Sequence, residues 1–150
     1  MNGKAKMCDA DRLYAELPDL RQALEARQTI KAATMIRDWV SAKATYSDRE
    51  LLIPHLKHSA PEVLELLEAD VGGLWCGGAA YVLAYVLNSV NIRSCVYSYG
   101  AGSISHETVV FGQPVDAGRT YQYYVLDAYL NFHYVYSGTD TWMPISEIWR

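Results

Sequence analysis

The chain has 150 residues, of which 51% are hydrophobic and 20% are charged, with ten Gly and five Pro. That composition excludes a disordered, collagen-like or coiled-coil chain, and the length suits one domain with its own core. A net charge of −4 argues against a nucleic-acid partner, because neutralising phosphates takes a basic surface. No apolar run approaches the roughly 20 residues that cross a bilayer, so no membrane partner is expected either.

Three cysteines, at positions 8, 76 and 95, form no CxxC pair and leave an odd number. This spacing predicts neither a disulfide framework nor a zinc site. Free thiols and the lack of a signal-peptide core point to the cytoplasm, with a secreted or delivered effector as the alternative. We expect no metal and no cofactor, since no acidic cluster suits calcium.

Most of the Lys, Arg, Asp and Glu residues lie in residues 1–70, and most of the Tyr residues follow. We expect a single domain over residues 1–150, with 1–29 as a candidate N-terminal helical extension. Apolar positions at helical spacing predict one helical stretch from Pro18 to about Ala44. Capping boxes at residues 47–50 and 59–62 predict two more helices, the second closed by Gly72 and Gly73.

Residues 76–90 contain no charged side chain, which is typical of a buried helix, and Asn91 is a suitable left-handed cap. Segments rich in Val and Tyr then predict strands, and clusters containing Gly predict the turns. The expected strands are residues 92–99, 106–111, 121–129 and 133–136, and the expected turns are residues 100–102, 112–114 and 137–140. Helices followed by consecutive strands indicate an α+β fold, with a buried helix packed on an antiparallel sheet.

Three residues in this second half could carry chemistry. Cys76 starts the buried helix, where free N–H groups and the helix dipole favour a thiolate, although a small buried cysteine explains it equally well. His106 stands at a strand mouth, where a hydrogen-bonded or exposed histidine is the simpler explanation. Asp127 interrupts an apolar strand, and a carboxylate there needs a partner such as an imidazole, unless it caps the end of the strand or faces water at an edge. Together they supply a nucleophile, a base and an orienting group.

The order and spacing of these segments resemble the transglutaminase-like (transglutaminase–protease) superfamily over roughly residues 30–132. The matching segments are Ile36-Arg37-Asp38-Trp39-Val40, Cys76-Gly77-Gly78-Ala79-Ala80, Asn88-Ser89-Val90-Asn91, Ser105-His106-Glu107-Thr108 and Tyr124-Val125-Leu126-Asp127. The resemblance implies a transglutaminase-like or papain-like fold. It also implies that Cys76 is the nucleophile, His106 the general base and Asp127 its orienting partner.

Two segments depart from the family pattern. Glu107 and Thr108 follow the histidine, where members often have His-Ala-Trp, and Trp75 precedes the cysteine, where many have a small or polar residue. The Trp75 indole and the Cys76 backbone N–H are the candidate oxyanion donors. Gly77, a poor helix former in the first turn, suggests close approach of another chain or of a substrate.

The expected function is cysteine-dependent acyl transfer: hydrolysis or transfer of an amide or thioester through an acyl-enzyme on Cys76. The substrate would be a peptide, a protein or an acyl group. The alternative is a catalytically inactive module of the same fold that binds peptide or carbohydrate through its tyrosines. The sequence indicates no oligomeric state.

Overall fold

A computed structural model describes residues 10–43, 76–101, 104–128 and 133–135. Within these ranges the chain is α+β, with helices packed on one antiparallel sheet, as the order of segments predicts. The helices are α1 Ala10–Glu16, α2 Leu20–Glu25, α3 Thr29–Lys43 and α4 Cys76–Ser89, and the strands are β1 Ser94–Ala101, β2 Ile104–Val115, β3 Thr120–Leu126 and β4 His133–Val135.

The four strands form a meander in which each strand is antiparallel to the next. Its register is unbroken: Val109 lies opposite Val96 and Leu126, and Val110 lies opposite Cys95. Side chains alternate between the two faces of a strand, so β2 presents odd-numbered residues to one face and even-numbered residues to the other. We call these the helix face, with Val109, Phe111 and Leu126, and the far face, with Cys95, Val110 and Val125.

Helix α4 is the centre of the core and packs on β1 and β2. Eight of its residues are buried, because a helix that is apolar on nearly every side must be covered all round. The chain leaves the helix through Asn91, whose φ of 65° confirms the left-handed cap predicted from the sequence. Ser94 then hydrogen-bonds through Oγ to the Ala84 carbonyl at 3.0 Å, which fixes the start of β1 against α4.

The N-terminal helices complete the same core, and they differ from the prediction of one continuous stretch. Helix α1 precedes Pro18, and its Leu13 joins the core. The following stretch divides into α2 and α3, since Arg27 adopts a left-handed φ of 58°. The Gln28 N–H donates to the Ala23 carbonyl across this break at 2.9 Å. Apolar periodicity alone could not reveal the break, because the apolar side chains on both sides of it face the same core.

The β2–β3 hairpin also differs from the sequence prediction. A turn was expected at residues 112–114, but β2 continues through them and the reversal lies at Asp116–Gly118. Pro114 is tolerated because β1 begins opposite Phe111, so no neighbour on that side needs its missing N–H. Strand β3 ends at Leu126 rather than at residue 129, which leaves Asp127 directly after the strand.

Several predictions lie outside the described residues. They include both capping boxes, at residues 47–50 and 59–62, and the turn at residues 137–140. In the part of the chain that the structure places, no helix has the length and apolar character needed to span a membrane.

Candidate active site

Cys76 is the first residue of α4, where the sequence predicts the nucleophile. Its thiol is free and the residue is half-buried. The first four N–H groups of an α-helix have no partner inside the helix, so this end of α4 presents hydrogen-bond donors and the positive end of the helix dipole. This end of the helix can therefore donate hydrogen bonds to a developing oxyanion.

His106 and Asp127 form a hydrogen bond through His106 Nε2 and Asp127 Oδ2. Asp127 is 1% exposed, whereas the His106 side chain keeps 28% of its surface in contact with solvent. A buried carboxylate is costly without a partner, and the imidazole supplies one. Both residues belong to the far face. His106 is two residues from Thr108 and four from Val110 along β2, so the three share that face, and Asp127 is two residues beyond Val125, which faces the same way.

Buried polar contacts fix the backbone around Asp127. Arg37 of α3, which is 4% exposed, donates from Nη1 to the Asp127 carbonyl at 3.3 Å. The Thr108 hydroxyl donates to the Leu126 carbonyl at 3.1 Å. Arg37 was not singled out as a site residue from the sequence. The available signal was a charged residue between apolar positions in the segment that resembles the family's helix before the cysteine.

Glu107 is the residue that lies against the first turn of α4. A Cβ built on Gly77 would be 3.2 Å from Glu107 Oε1 and 3.3 Å from Oε2. Glu107 belongs to the helix face, with Val109 and Phe111, so its side chain points away from the face that carries His106. The glycine thus allows the carboxylate to approach the helix one residue from the thiol.

The predicted site is therefore brought together in part. His106 and Asp127 are paired, and α4 begins beside the same end of β2. Among the described residues no hydrogen bond joins Cys76 to His106; the two groups meet this end of the sheet from opposite faces. Trp75, the other candidate oxyanion donor, lies outside the described residues.

This arrangement offers a thiol at a helix N-terminus, an imidazole oriented by a carboxylate, and backbone N–H donors for an oxyanion. Within the described ranges, His, Cys, Asp and Glu side chains form no group of three that could hold a metal ion. Comparison with known proteins returned no matching family model, no matching curated protein and no matching solved structure.

Proposed function

We propose that the protein is a cysteine-dependent acyl-transfer enzyme with Cys76 as the nucleophile, as the transglutaminase-like resemblance implies. The observation that carries the proposal is the hydrogen bond between the partly exposed His106 and the buried Asp127. It lies at the end of the sheet where α4 begins. A carboxylate that fixes an imidazole is the orienting half of a cysteine or serine triad.

The proposed reaction begins when the Cys76 thiol gives its proton to His106. Because Nε2 bonds to Asp127, Nδ1 is the ring nitrogen that takes this proton. The sulfur then attacks the carbonyl carbon of an amide or thioester, and the N–H groups at the start of α4 stabilise the oxyanion. The tetrahedral intermediate expels the amine or thiol, which takes the proton from His106 and leaves an acyl thioester on Cys76.

The second half of the reaction restores the thiol. Water or an amine gives a proton to His106 and attacks the thioester carbonyl, and the sulfur leaves and recovers that proton. Water makes the net reaction a hydrolysis, and an amine makes it a transfer. For this reaction the Cys76 sulfur and the His106 imidazole must approach each other at the end of the sheet when substrate binds. Such a change has precedent, because catalytic hydrogen bonds often tighten only in the substrate complex.

A small activated ester tests the proposal most simply. On incubation with p-nitrophenyl acetate, Cys76 should gain an acetyl group that peptide mass mapping locates, with release of p-nitrophenolate. Cys76→Ser should abolish this acylation, and His106→Gln should slow it by at least about a hundredfold, the usual contribution of a general base. Cys95→Ser is the matched control, because Cys95 is buried inside β1 and is not one of the candidate site residues. Acetylation of Cys76 at the same rate in His106→Gln would reject His106 as the base.

The second candidate is a non-catalytic module that binds peptide or carbohydrate. It is favoured by one observation, the lack of a hydrogen bond between Cys76 and His106 among the described residues. On this hypothesis Cys76 packs beside the Glu107 carboxylate without reacting. The two candidates separate in the same experiment, since a binding module would show no ester-dependent acylation of Cys76 and no effect of His106→Gln.

A further inference from the structure

A cavity of about 530 Å³ lies at the end of α4 remote from Cys76. Three connections of the fold meet there: the α2–α3 junction, the exit of α4 through Asn91, and the β2–β3 hairpin at Asp116–Gly118. Small-molecule sites in proteins commonly have volumes of about 300–1,000 Å³. The cavity is thus large enough for a small organic molecule, and none of the candidate catalytic residues lines it.

The backbone around this cavity is strained. Every non-glycine residue with positive φ in the described part of the chain lines it: Arg27 at 58°, Asn91 at 65°, Asp116 at 52° and Ala117 at 57°. A left-handed conformation costs a residue such as Arg or Ala about 1–2 kcal/mol, whereas Asn and Asp adopt it more readily, and such strain is often found at binding and catalytic sites.

The cavity wall combines polar and apolar surface and is partly open to solvent. Among the described residues, the most exposed large hydrophobic side chains are Val115 and Tyr121, each 38% exposed. Both line the cavity. Leu24, Ile92 and Pro114 continue the same wall. Exposed apolar surface gathered in a concave site is typical of a ligand site.

Two charged side chains line the cavity, those of Arg27 and Asp116. Among the described residues no carboxylate forms an ion pair with Arg27, which lines the cavity. The Arg93 guanidinium lies 5.4 Å from the centroid of the Tyr121 ring. Arg93, Arg119 and Glu25 are next to lining residues in the sequence but do not themselves line the cavity.

We propose that this cavity binds a small organic carboxylate with an apolar or aromatic body. The apolar body of the ligand lies against Val115, Tyr121 and Ile92, and its carboxylate forms an ion pair with Arg27. A neutral ligand could not form this ion pair. The site does not depend on the acyl-transfer chemistry proposed for Cys76, which lies at the other end of the same helix.

Two probes that differ only in charge test the proposal: 4-phenylbutyrate and its neutral amide, 4-phenylbutanamide. Each is titrated into the ¹⁵N-labelled full chain while amide resonances are followed by NMR. We expect saturable shifts at Gly112, Ala117 and Gly118, with the carboxylate binding about three- to tenfold more tightly than the amide, as suits one partly exposed ion pair.

Variants assign the charge preference to its residue. Arg27→Asn removes the cation, and Asn tolerates the left-handed backbone, so the fold is preserved. This variant should bind both probes with equal affinity. Lys31→Gln is the matched control, because Lys31 is exposed on α3 and does not line the cavity, and it should keep the preference. Val115→Thr should weaken both probes by a similar factor.

Three results would overturn the proposal. They are the absence of saturable shifts at the hairpin with either probe, equal affinity of the two probes for the wild-type chain, or an unchanged preference in Arg27→Asn. Shifts that instead spread evenly over the chain would indicate adventitious binding and would count against the site as well.

Discussion

Asp127 connects three parts of the molecule through two of its atoms. Its carboxylate bonds to the His106 imidazole, and its carbonyl accepts from Arg37 of α3. A residue that is 1% exposed can carry a carboxylate only because such partners replace water. The proposed catalytic role and the local stability therefore depend on the same residue.

Replacing Asp127 by Asn should lower the free energy of unfolding by about 1–3 kcal/mol, because the amide cannot reproduce a carboxylate–imidazole bond in a buried position. Urea unfolding at pH 7 measures the loss. Asp116→Asn is the control: Asp116 is exposed in the hairpin with φ of 52°, where Asn is well tolerated, and we expect a change within about 0.5 kcal/mol. Equal effects of the two variants would contradict the importance of the buried pair.

Gly77 is the residue at which function and stability should diverge. Alanine in its place gains about 1 kcal/mol of helix propensity, and the Glu107 carboxylate that it would contact ends a flexible side chain and can move. Gly77→Ala should therefore unfold at slightly higher urea concentration. The added methyl group also narrows the approach to Cys76, so acylation by p-nitrophenyl acetate should slow. Faster or unchanged acylation would show that no substrate passes this turn.

Gly112 should respond in the opposite way. An added Cβ would lie 2.9 Å from Tyr123 Cε1 and 3.0 Å from Tyr121 Cδ1, two rings stacked with centroids 6.0 Å apart. Because both rings are held by this stacking, Gly112→Ala should cost about 1–3 kcal/mol of unfolding free energy through overpacking. Removing one ring edge with Tyr123→Leu in the same chain should recover part of the loss. Stability equal to wild type in the single variant would contradict the tight packing over this glycine.

At the scale of elements, the junction of α4 and β1 sets how the buried helix joins the sheet. Asn91 adopts φ of 65°, and the Ile92 N–H returns to the Leu87 carbonyl at 3.0 Å. This pattern closes the helix with a left-handed residue and satisfies a carbonyl that would otherwise lack a partner.

Asn91→Ala should lower the free energy of unfolding by about 1 kcal/mol, since alanine is strained in the left-handed region, whereas Asn91→Gly should equal or exceed the wild type. Thermal and urea unfolding of the two variants give the comparison. If Asn91→Ala were instead more stable than Asn91→Gly, this connection would not need its left-handed residue.

The elements also show where sequence patterns are informative. Helix α4 and its cap follow directly from an uncharged apolar run that ends at Asn91, because burial and backbone preference act on the same residues. The division of α2 from α3 at Arg27 has no comparable signal, since arginine has no special preference for a left-handed backbone. The length of β2 was underestimated because Gly112 and Pro114, which commonly mark turns, here lie beyond the end of β1.

At the scale of the whole molecule, the sequence predicts the pairing of His106 with Asp127 because a carboxylate in an apolar segment demands a partner. It does not predict the role of Arg37, because that contact depends on how α3 packs against the end of β3. Nor does it predict that Glu107, rather than His106, faces the first turn of α4, since the choice of face depends on the register of the complete sheet.

Helix α4 thus separates the two proposed sites. The helix begins at Cys76, at the end of the sheet that carries the His106–Asp127 pair. Asn91 follows the other end of the helix and lines the cavity. The proposed enzyme activity belongs to the first end and the proposed carboxylate site to the second. Loss of one proposal would leave the other intact, because no residue is shared between the two sites.

The central claim is that Cys76 and His106 act on each other, and the rate of Cys76 alkylation tests it most directly. Wild type and His106→Gln are treated with iodoacetamide at mildly acidic pH, and mass mapping follows Cys76, Cys8 and Cys95 in the same sample. We predict that Cys76 reacts at least about ten times faster than either other cysteine in the wild type, because the imidazole accepts its proton. We also predict that this advantage disappears in His106→Gln. A Cys76 that reacts no faster than Cys8, or equally fast in both proteins, would contradict the account.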